Sequence, residues 1–292
     1  MATPELSPHA LASLLAIAEL GSVSAAARSR GLTQPSISRQ IQDLELRLDA
    51  QLIERTSQGA SLTPAGEILA EHAREILHAL ATLPERVKAR RGEVSGRVRL
   101  GCVDSLGIYV LPPFLARFAQ AHPRVSVEVV CHPSPDLMAM LLADELDVAV
   151  GTTEHAKLAS ERLYVNPIVL VYPNGIPKDQ VPTSFKDIAA ARIVTFTQGL
   201  TVRRILDDAF AKAKVPFKPV LELANVEVIK AMVRAGMGFG IIPDGCIQGF
   251  ELNAVPIQGL KHGRTIRLMY RQQNLSQATE AMITWLRQLR QQ

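Results

Sequence analysis

Cysteines, aromatic residues and long apolar runs are scarce in this sequence. Of its 292 residues only 3 are cysteine, and aromatic residues make up 4%. Cys102, Cys131 and Cys246 are odd in number, far apart in sequence and without a C-x-x-C pair. This predicts packing residues in a reducing compartment, with a redox role as the weaker alternative. No apolar run approaches about 18 residues and no basic, apolar leader precedes the first helix, so the sequence predicts a cytoplasmic protein, neither secreted nor membrane-spanning.

Catalytic and metal-binding motifs are missing as well. No Walker, G-x-S-x-G or H-E-x-x-H motif and no zinc-spaced Cys/His pattern occurs in the sequence. We therefore predict no enzyme activity, no bound metal and no cofactor. Two weaker alternatives remain from the residues alone: an enzyme that uses His132, Asp104 or a cysteine, and a solute-binding receptor.

Basic residues outnumber acidic ones, 32 to 28, which gives a formal net charge of +4 and a pI near 9.1. Such a charge suits a nucleic-acid partner without requiring one. The first 91 residues carry ten basic and ten acidic side chains. Any DNA affinity of this part must therefore come from where its arginines lie and not from its net charge.

The stretch from residue 22 to residue 48 predicts two helices joined by a sharp turn. Ser22 or Ser24 can cap the first helix, over residues 25–30, because a serine hydroxyl accepts hydrogen bonds from free amides of the first turn. Gly31 then permits a break in the backbone. This is the pattern of a helix-turn-helix.

The second helix of this pair begins at Thr33 as the capping residue, with a proline inside the first turn. Its apolar positions are spaced four, three and four residues apart, one stripe of a helical period, and are Ile37, Ile41, Leu44 and Leu48. The other side carries polar residues of the types that bind bases and phosphates. The candidate DNA-binding residues of the two helices are Ser24, Arg28, Thr33, Gln34, Pro35, Ser36, Ser38, Arg39 and Gln42.

A short hairpin is predicted after the second helix. The segment QLIERTSQGASLT contains two extended arms around Ser57-Gln58-Gly59, a turn sequence. We interpret it as the wing of a winged helix-turn-helix. Arg55 on the first arm is a further candidate for contact with the DNA backbone or minor groove, with a solvated charge as the equal alternative.

The run AELGSVSAAARSRGLTQPSISRQIQDLE resembles the N-terminal signature of the LysR-type transcriptional regulators, and the resemblance extends along the whole chain. Leu14, Ile53 and Asp49 depart from it, since the family usually has phenylalanine, phenylalanine and glycine there. The resemblance implies double-stranded promoter or operator DNA and a small-molecule effector as partners. It also implies a homodimer that pairs further into a homotetramer, activation with autorepression, and contact with RNA polymerase.

A long helix is predicted to follow the wing, over residues 64–91. It opens with Thr63 as cap and Pro64 in the first turn, and Pro84 must kink the helix or end it early. Apolar residues spaced four, three, four, three and four apart form a heptad seam, which predicts a dimer through a partner helix. The predicted dimerisation residues are Leu69, Ala73, Ile76, Leu80, Leu83 and Val87. The block KARRGEVSGR is the predicted hinge.

The rest of the chain alternates short apolar strands with helices, which predicts an α/β domain in two lobes. We predict an α+β multi-domain fold with a winged helix-turn-helix, a linker helix and a two-lobed effector-binding domain like the periplasmic binding proteins. The predicted domains are 1–63, 64–91 and 92–292, with lobe I at about 92–163 and 265–292 and lobe II at about 164–264. Crossings between lobes are predicted near Leu163–Pro167 and Arg264–Arg267.

Hydroxyl and amide side chains recur just after the predicted strands. Ligands of such sheets bind beyond the carboxyl ends of the strands, where helix N-termini offer free amides. The candidate effector-binding residues are Ser105, Leu106, His132, Ser134, Thr152, Gln198, Thr201 and Asn225, and the resemblance implies small carboxylates or similar anions as ligands. Each of the Ser, Thr and Asn residues could instead be only a helix cap. Arg203 and Arg204 could supply a cation or be surface charges.

Overall fold

The computed structural model describes residues 6–56, 59–88, 94–248, 251–273 and 275–291. The chain divides into two compact units, residues 1–93 and residues 94–292. The predicted boundary after residue 91 falls outside the described residues.

The first unit is helical with a small hairpin. Its elements are α1 (Pro8–Leu20), α2 (Val23–Ser29), α3 (Gln34–Leu48), β1 (Ile53–Thr56), β2 (Gly59–Leu62) and α4 (Pro64–Lys88). One apolar core joins α1, α2, α3 and the start of α4. Among the described residues no single helix is long and apolar enough to cross a membrane, and α1 and α2 reach that composition only together, across a bend of 119°.

Side-chain caps fix where the helix-turn-helix begins its helices. Thr33 Oγ1 accepts a hydrogen bond from the Ser36 N–H at 3.3 Å, as predicted. Ser22 Oγ accepts one from the Ala25 N–H at 3.3 Å, so Ser22 and not Ser24 caps α2. That helix therefore begins two residues earlier than predicted, at Val23.

Two residues with positive φ end these helices. Gly31 has φ +64°, which the absence of a Cβ makes easy. Asp49 has φ +48° and its N–H bonds the Glu45 carbonyl, which closes α3. Aspartate tolerates this left-handed conformation better than most residues, so the departure from glycine leaves the turn intact.

The wing is held to the helices by side-chain and backbone bonds. β1 and β2 are antiparallel, with Ile53 opposite Leu62. Glu45 Oε1 on α3 accepts hydrogen bonds from the Leu52 N–H at 2.8 Å and the Ile53 N–H at 3.3 Å. The turn residues Ser57 and Gln58 lie outside the described residues.

The helix α4 continues through Pro84. It runs unbroken from Pro64 to Lys88, so of the two predicted effects of Pro84, a kink or an early end, the early end does not occur. A proline removes one hydrogen bond within a helix, and the preceding five turns of α4 are long enough to be stable without it.

The second unit contains two five-stranded mixed sheets. Lobe I has the strand order β4-β3-β5-β12-β6 and consists of β3 (Gly96–Cys102), α5 (Asp104–Tyr109), α6 (Leu111–Ala121), β4 (Val125–Cys131), α7 (Ser134–Leu142), β5 (Val148–Gly151), β6 (Ala159–Asn166), β12 (Arg264–Tyr270) and α11 (Gln277–Leu286). Lobe II has the order β11-β7-β10-β8-β9 and consists of β7 (Ile168–Pro173), α8 (Phe185–Ala190), β8 (Ile193–Phe196), α9 (Thr201–Lys212), β9 (Leu221–Leu223), α10 (Val226–Arg234), β10 (Phe239–Pro243) and β11 (Leu252–Pro256). Single 3-10 turns occupy Lys178–Gln180, Asp244–Cys246 and Arg287–Gln291.

The chain crosses from lobe I to lobe II at Pro167, within the predicted crossing near Leu163–Pro167. The segment LYVNPIVLVYP contributes to two strands in different sheets, separated by this proline. Proline has no N–H to donate to a sheet, so it ends one ladder and the chain enters the other. The chain returns to lobe I between Pro256 and Arg264. The helix α5 and the edge strand β11 were not predicted, because both are short and weakly patterned.

A carboxylate on β6 joins the C-terminal end of the chain to lobe I. Glu161 accepts hydrogen bonds from Arg287 at 2.7 Å and from the Tyr270 hydroxyl at 2.6 Å, and it also pairs with Arg290. The Arg287 hydrogen bond, with those from Tyr270 and the nearby cations, holds the pKa of Glu161 at about 2 against a usual 4.5. The ionised form of this carboxyl therefore stabilises the folded state.

We expect Glu161→Gln to lower the free energy of unfolding at neutral pH. A pKa lowered this far corresponds to about 3 kcal/mol, and the partial exposure of the arginines brings our expectation to about 1–2 kcal/mol. Because the folded pKa is depressed, this contribution is complete above about pH 4.5 and is lost as the pH falls towards 2. Urea unfolding followed by the fluorescence of Trp285, the one tryptophan of the sequence, measures the free energy of unfolding. The difference in this free energy between wild type and variant should shrink as the pH falls from about 4.5 towards 2.

The matched control for this experiment is Glu154→Gln. Glu154 pairs with Arg267 at 2.9 Å but its side chain is 63% exposed. Exposed pairs contribute little to stability, so this variant should unfold like the wild type at every pH. An equal decrease in the free energy of unfolding for Glu161→Gln and Glu154→Gln would contradict the stabilising role of Glu161.

Candidate nucleic-acid interface and ligand cleft

The third helix buries one side and exposes the other. Ile37, Ile41 and Leu44 are buried in the core of the first unit. The predicted contacts Gln34 and Arg39 are exposed to solvent. Exposed arginine and glutamine side chains are the donors and acceptors that read base edges in a major groove.

The remaining predicted DNA contacts lie around this exposed face. Thr33, Pro35, Gln42 and Arg28 are exposed, and Ser24, Ser36 and Ser38 are partly exposed. Ser24 Oγ donates to Gln34 Oε1 at 3.2 Å, which links α2 to the tip of α3. The side chain of Arg55 lies outside the described residues. The described candidates are thus all at least partly exposed, and Ser24 on α2 contacts the first residue of α3.

Sequence reasoning missed residues that position this surface from beneath. Ser13 is fully buried on α1, and its hydroxyl donates to Gln40 Oε1 at 2.6 Å on α3. Glu45 holds the wing, as described above. A polar residue at an otherwise apolar helix position was the only signal for Ser13.

The predicted dimerisation seam divides into a buried part and an exposed part. Ala73 is fully buried in the core of its own unit, beside the partly buried Leu69. Ala73 is therefore unavailable to a partner helix, a correction that arises because the first turns of α4 pack on α1. Ile76, Leu80 and Leu83 are 43%, 45% and 51% exposed. The side chain of Val87 lies outside the described residues.

A cavity of about 140 Å³ lies between the two lobes of the second unit. A cavity of roughly 150 Å³ is large enough to hold benzene, so the space suits a small effector. It is bounded by the residues that follow β3, β4, β5 and β8 and by the start of β12. The lining residues used below are Asp104, Ser105, His132, Ser134, Thr152, Thr201, Arg204 and Arg264.

A chain of hydroxyls crosses the cleft. Ser134 and Thr152 of lobe I exchange a hydrogen bond at 2.9 Å, and Thr152 bonds the Thr201 hydroxyl of lobe II at 2.8 Å. Ser134 Oγ also accepts from the Thr152 N–H at 2.9 Å. Each hydroxyl can rotate to donate or to accept a hydrogen bond. A ligand can therefore replace one hydroxyl as the hydrogen-bond partner of another.

Five of the eight predicted effector residues line the cavity and three do not. Leu106 is buried in the core of lobe I, and Gln198 is exposed outside the lining. Asn225 Oδ1 accepts from the Glu227 N–H at 2.8 Å as the cap of α10. Its Nδ2 donates to Asp104 of lobe I at 3.2 Å, so it bonds across the lobes at the edge of the cavity.

Two buried arginines of this unit have opposite surroundings. Arg203, suggested from the sequence as a cation for the ligand, is paired with Asp207 at 2.8 Å and Glu222 at 2.6 Å. Arg264 is only 6% exposed, and within the described part of the chain it has no carboxylate partner. One of its Nη atoms donates to Ser105 Oγ at 2.8 Å, and its Nε is buried without a partner.

Arg264 was missed by sequence reasoning because it begins a strand, where charges usually flank the sheet in solvent. Burial lowers its pKa, which expresses the cost of desolvating the charge. A buried cation that lines a ligand-sized cavity without a counter-ion is complementary to an anion. No group of metal-binding side chains occurs in the described ranges.

Family models match both units of the chain. Residues 8–67 match the bacterial regulatory helix-turn-helix protein of the lysR family. Residues 91–291 match the LysR substrate binding domain, over more than half of the chain.

Known regulators are similar along most of their length. The HTH-type transcriptional regulator BbuR of Bordetella bronchiseptica is 31% identical over 232 residues, 78% of this chain and 71% of BbuR. YofA of Bacillus velezensis is 29% identical over 238 residues, 81% of this chain and 80% of YofA. These relatives are transcriptional regulators, which confirms the prediction of a regulator and not an enzyme.

Solved structures show the same fold at lower identity. Full-length CbnR with its target DNA aligns over 97% of this chain and 99% of CbnR, with a TM-score of 0.64 and 22% identity. The effector-binding domain of QuiR with shikimate aligns over 65% of this chain and 95% of that domain, with a TM-score of 0.59 and 18% identity. The predicted fold class and family resemblance are therefore confirmed. The chain belongs to the LysR family of bacterial transcriptional regulators, with a helix-turn-helix DNA-binding domain and an effector-binding domain.

Proposed function

We propose that this regulator binds operator DNA through α3 and its wing, and that a small anionic effector in the cleft alters how it binds and bends that DNA. The effector acts by favouring one arrangement of the protein over another, since a ligand shifts an equilibrium only by its differential affinity. The regulator is an activator that also represses its own gene.

The observation that supports an anionic effector is the buried Arg264 in the cavity wall, which has no carboxylate partner among the described residues. Arg204 lines the same cavity and adds a second positive charge, against the single carboxylate of Asp104. Ser105 and Thr152 supply hydroxyls that can bond carboxylate oxygens. A small carboxylate, which offers one negative charge and two acceptors, meets these requirements. The QuiR domain, solved with shikimate, supports a small ligand in this fold.

The DNA interaction rests on the exposed polar face of α3. Two such helices in a dimer can enter successive major grooves of a partly palindromic site. The solved complex of CbnR with its target DNA supports DNA binding by this fold. The exposed Ile76, Leu80 and Leu83 on α4 supply the dimer contact, and pairing of effector domains gives the tetramer. We place the protein in the cytoplasm with its DNA, where it contacts RNA polymerase.

We expect Gln34→Ala and Arg39→Ala each to weaken specific DNA binding by about 1–3 kcal/mol if these side chains bond base edges. The operator is first selected from a random duplex library with the wild-type protein. Affinities of wild type and variants for that operator and for a scrambled duplex are then measured at a fixed salt concentration. Both variants should lose affinity for the operator. Gln34→Ala should keep its affinity for the scrambled duplex, and Arg39→Ala should lose only the small part of it that one positive charge contributes.

Arg47→Ala is the matched control for Arg39→Ala. Arg47 lies on the same helix, and its replacement by alanine removes the same single positive charge. It pairs with Asp43 at 2.8 Å. It should reduce operator and scrambled binding alike, by a small amount. If Arg39→Ala and Arg47→Ala behave identically, Arg39 does not read bases and the proposed interface is wrong.

A further inference from the structure

Two cysteines that are distant in sequence lie side by side at the end of the lobe I sheet. Cys102 ends β3, Cys131 ends β4, and the two are directly paired in the parallel register. Their Sγ atoms are 3.5 Å apart. Neighbouring strands lie about 4.8 Å apart, inside the range of about 4.4–6.8 Å between the Cα atoms of a disulfide. Their wide separation along the sequence gave no sign of this contact.

We propose that Cys102 and Cys131 form a reversible intramolecular disulfide when the protein meets a peroxide. The two sulfurs need to approach by only about 1.5 Å to reach a bonded distance of about 2.0 Å. Cys102 and Cys131 are the last residues of their strands. A transient disulfide of this kind is compatible with a reducing compartment, where regulatory disulfides form and are reduced again.

The surroundings give the two thiols different roles. Cys131 is exposed, whereas Cys102 is fully buried. Burial, with the neighbouring Cys131 and Asp104, raises the pKa of Cys102. Gly107 covers the pair, and a Cβ there would lie 2.8 Å from Cys131 Sγ and 3.1 Å from Cys102 Sγ. A peroxide therefore reaches Cys131 first, and Cys102 is the thiol that resolves the product.

The chemistry balances with hydrogen peroxide as the two-electron oxidant. The Cys131 thiol loses its proton and attacks one peroxide oxygen, so that an S–O bond forms, the O–O bond breaks and water leaves. Cys102 then loses its proton and attacks Sγ of the resulting Cys131 sulfenic acid. The S–S bond forms, the S–O bond breaks and a second water leaves. Two thiols are oxidised and one peroxide is reduced to two waters.

The disulfide would act on the wall of the cleft. Asp104, a lining residue, follows Cys102 by two positions, and the lining residue His132 follows Cys131 directly. The His132 N–H already donates to the Cys102 carbonyl at 3.0 Å. Drawing the two strand ends together therefore changes the position of these lining residues.

The test treats the reduced full-length protein with one to a few equivalents of hydrogen peroxide. We expect two of the three thiols to be lost, a mass decrease of about 2 Da and a tryptic cross-link between the peptides of Cys102 and Cys131. A thiol reductant should restore all three thiols. Cys246 is buried elsewhere in the fold, so Cys246→Ser should lose both of its remaining thiols in the same way.

The variant Cys102→Ser tests the assigned roles. It should accumulate a sulfenic acid at Cys131, detected by dimedone adduct formation, and show no intramolecular cross-link. A wild-type product with sulfinic acid on Cys131 and a free Cys102, or with disulfides only between chains, overturns the proposal. Amide hydrogen exchange of residues 103–107 and of His132 and Ser134 should change on oxidation, and unchanged exchange there overturns the action on the cleft.

Discussion

Replacing Arg264 by methionine is expected to raise the melting temperature of the ligand-free protein and to abolish its response to anionic effectors. The buried guanidinium has no counter-ion among the described residues, so removing it relieves a desolvation cost that we place at about 1–3 kcal/mol. An anionic ligand that bonds Arg264 loses this charged partner in the variant. We expect the affinity of Arg264→Met for such a ligand to be lower than that of the wild type by about 100-fold or more.

A thermal-shift screen of the full chain measures both effects. The panel contains small carboxylates, amino acids, aromatic acids, and sulfur and phosphate anions. A ligand that binds the folded state raises the melting temperature by mass action, by about 2.7 kcal/mol of stability at a hundredfold excess over its Kd. Compounds that stabilise the wild type should fail to stabilise Arg264→Met.

Arg203→Met is the matched control, because Arg203 is buried to 4% exposure in the same unit but is fully paired. Its removal leaves Asp207 and Glu222 without their cation, so this variant should melt at a lower temperature. It should still respond to the effector. Arg264→Met that melts lower and binds every hit like the wild type would refute the anion site.

Leu80→Glu on α4 is expected to dissociate the dimer. Leu80 is 45% exposed in the isolated chain, between Ile76 and Leu83 on the same face. In a symmetric dimer each substitution occurs twice, and loss of a buried leucine costs about 1.5–3 kcal/mol per copy. The dissociation constant should therefore rise by about 100-fold to 10,000-fold. Sedimentation velocity across a concentration series measures it, and operator affinity should fall in parallel.

Val220→Glu provides the control for an added surface charge. Val220 is 48% exposed in the second unit, so the change in chemistry and exposure is nearly equal. This variant should keep the association state of the wild type. A Leu80→Glu protein that stays dimeric at low micromolar concentration would mean that α4 does not carry the dimer contact.

The helix-turn-helix could be predicted from the sequence because its signals are local. Thr33, Gly31 and the stripe from Ile37 to Leu44 each determine a feature within one or two turns of chain. The heptad seam was also visible, but the sequence could not show where it changes from the core of its own unit to a free face. Ala73 and Leu80 fit the same heptad pattern, and only the packing of α1 against α4 separates them.

The cleft was predicted less completely because it depends on contacts between distant residues. The rule about strand ends identified Ser134, Thr152 and Thr201, which each follow or begin an element on their own segment. Arg264 and Ser105 are 159 positions apart, and Cys102 and Cys131 are paired through sheet register. No local pattern reports such a pair, so the cation and the dithiol emerged only from the fold.

The bonds that join the lobes have a kinetic consequence for effector entry. Thr152 with Thr201, and Asp104 with Asn225, connect the two lobes directly beside the cavity, and Lys230 of lobe II donates to the Tyr109 hydroxyl of lobe I. We expect an effector to enter fully when some of these bonds break and the lobes part. Its observed association rate should therefore level off at high concentration, at the rate of lobe opening, which makes the speed of the transcriptional response a property of the protein and not of the effector supply.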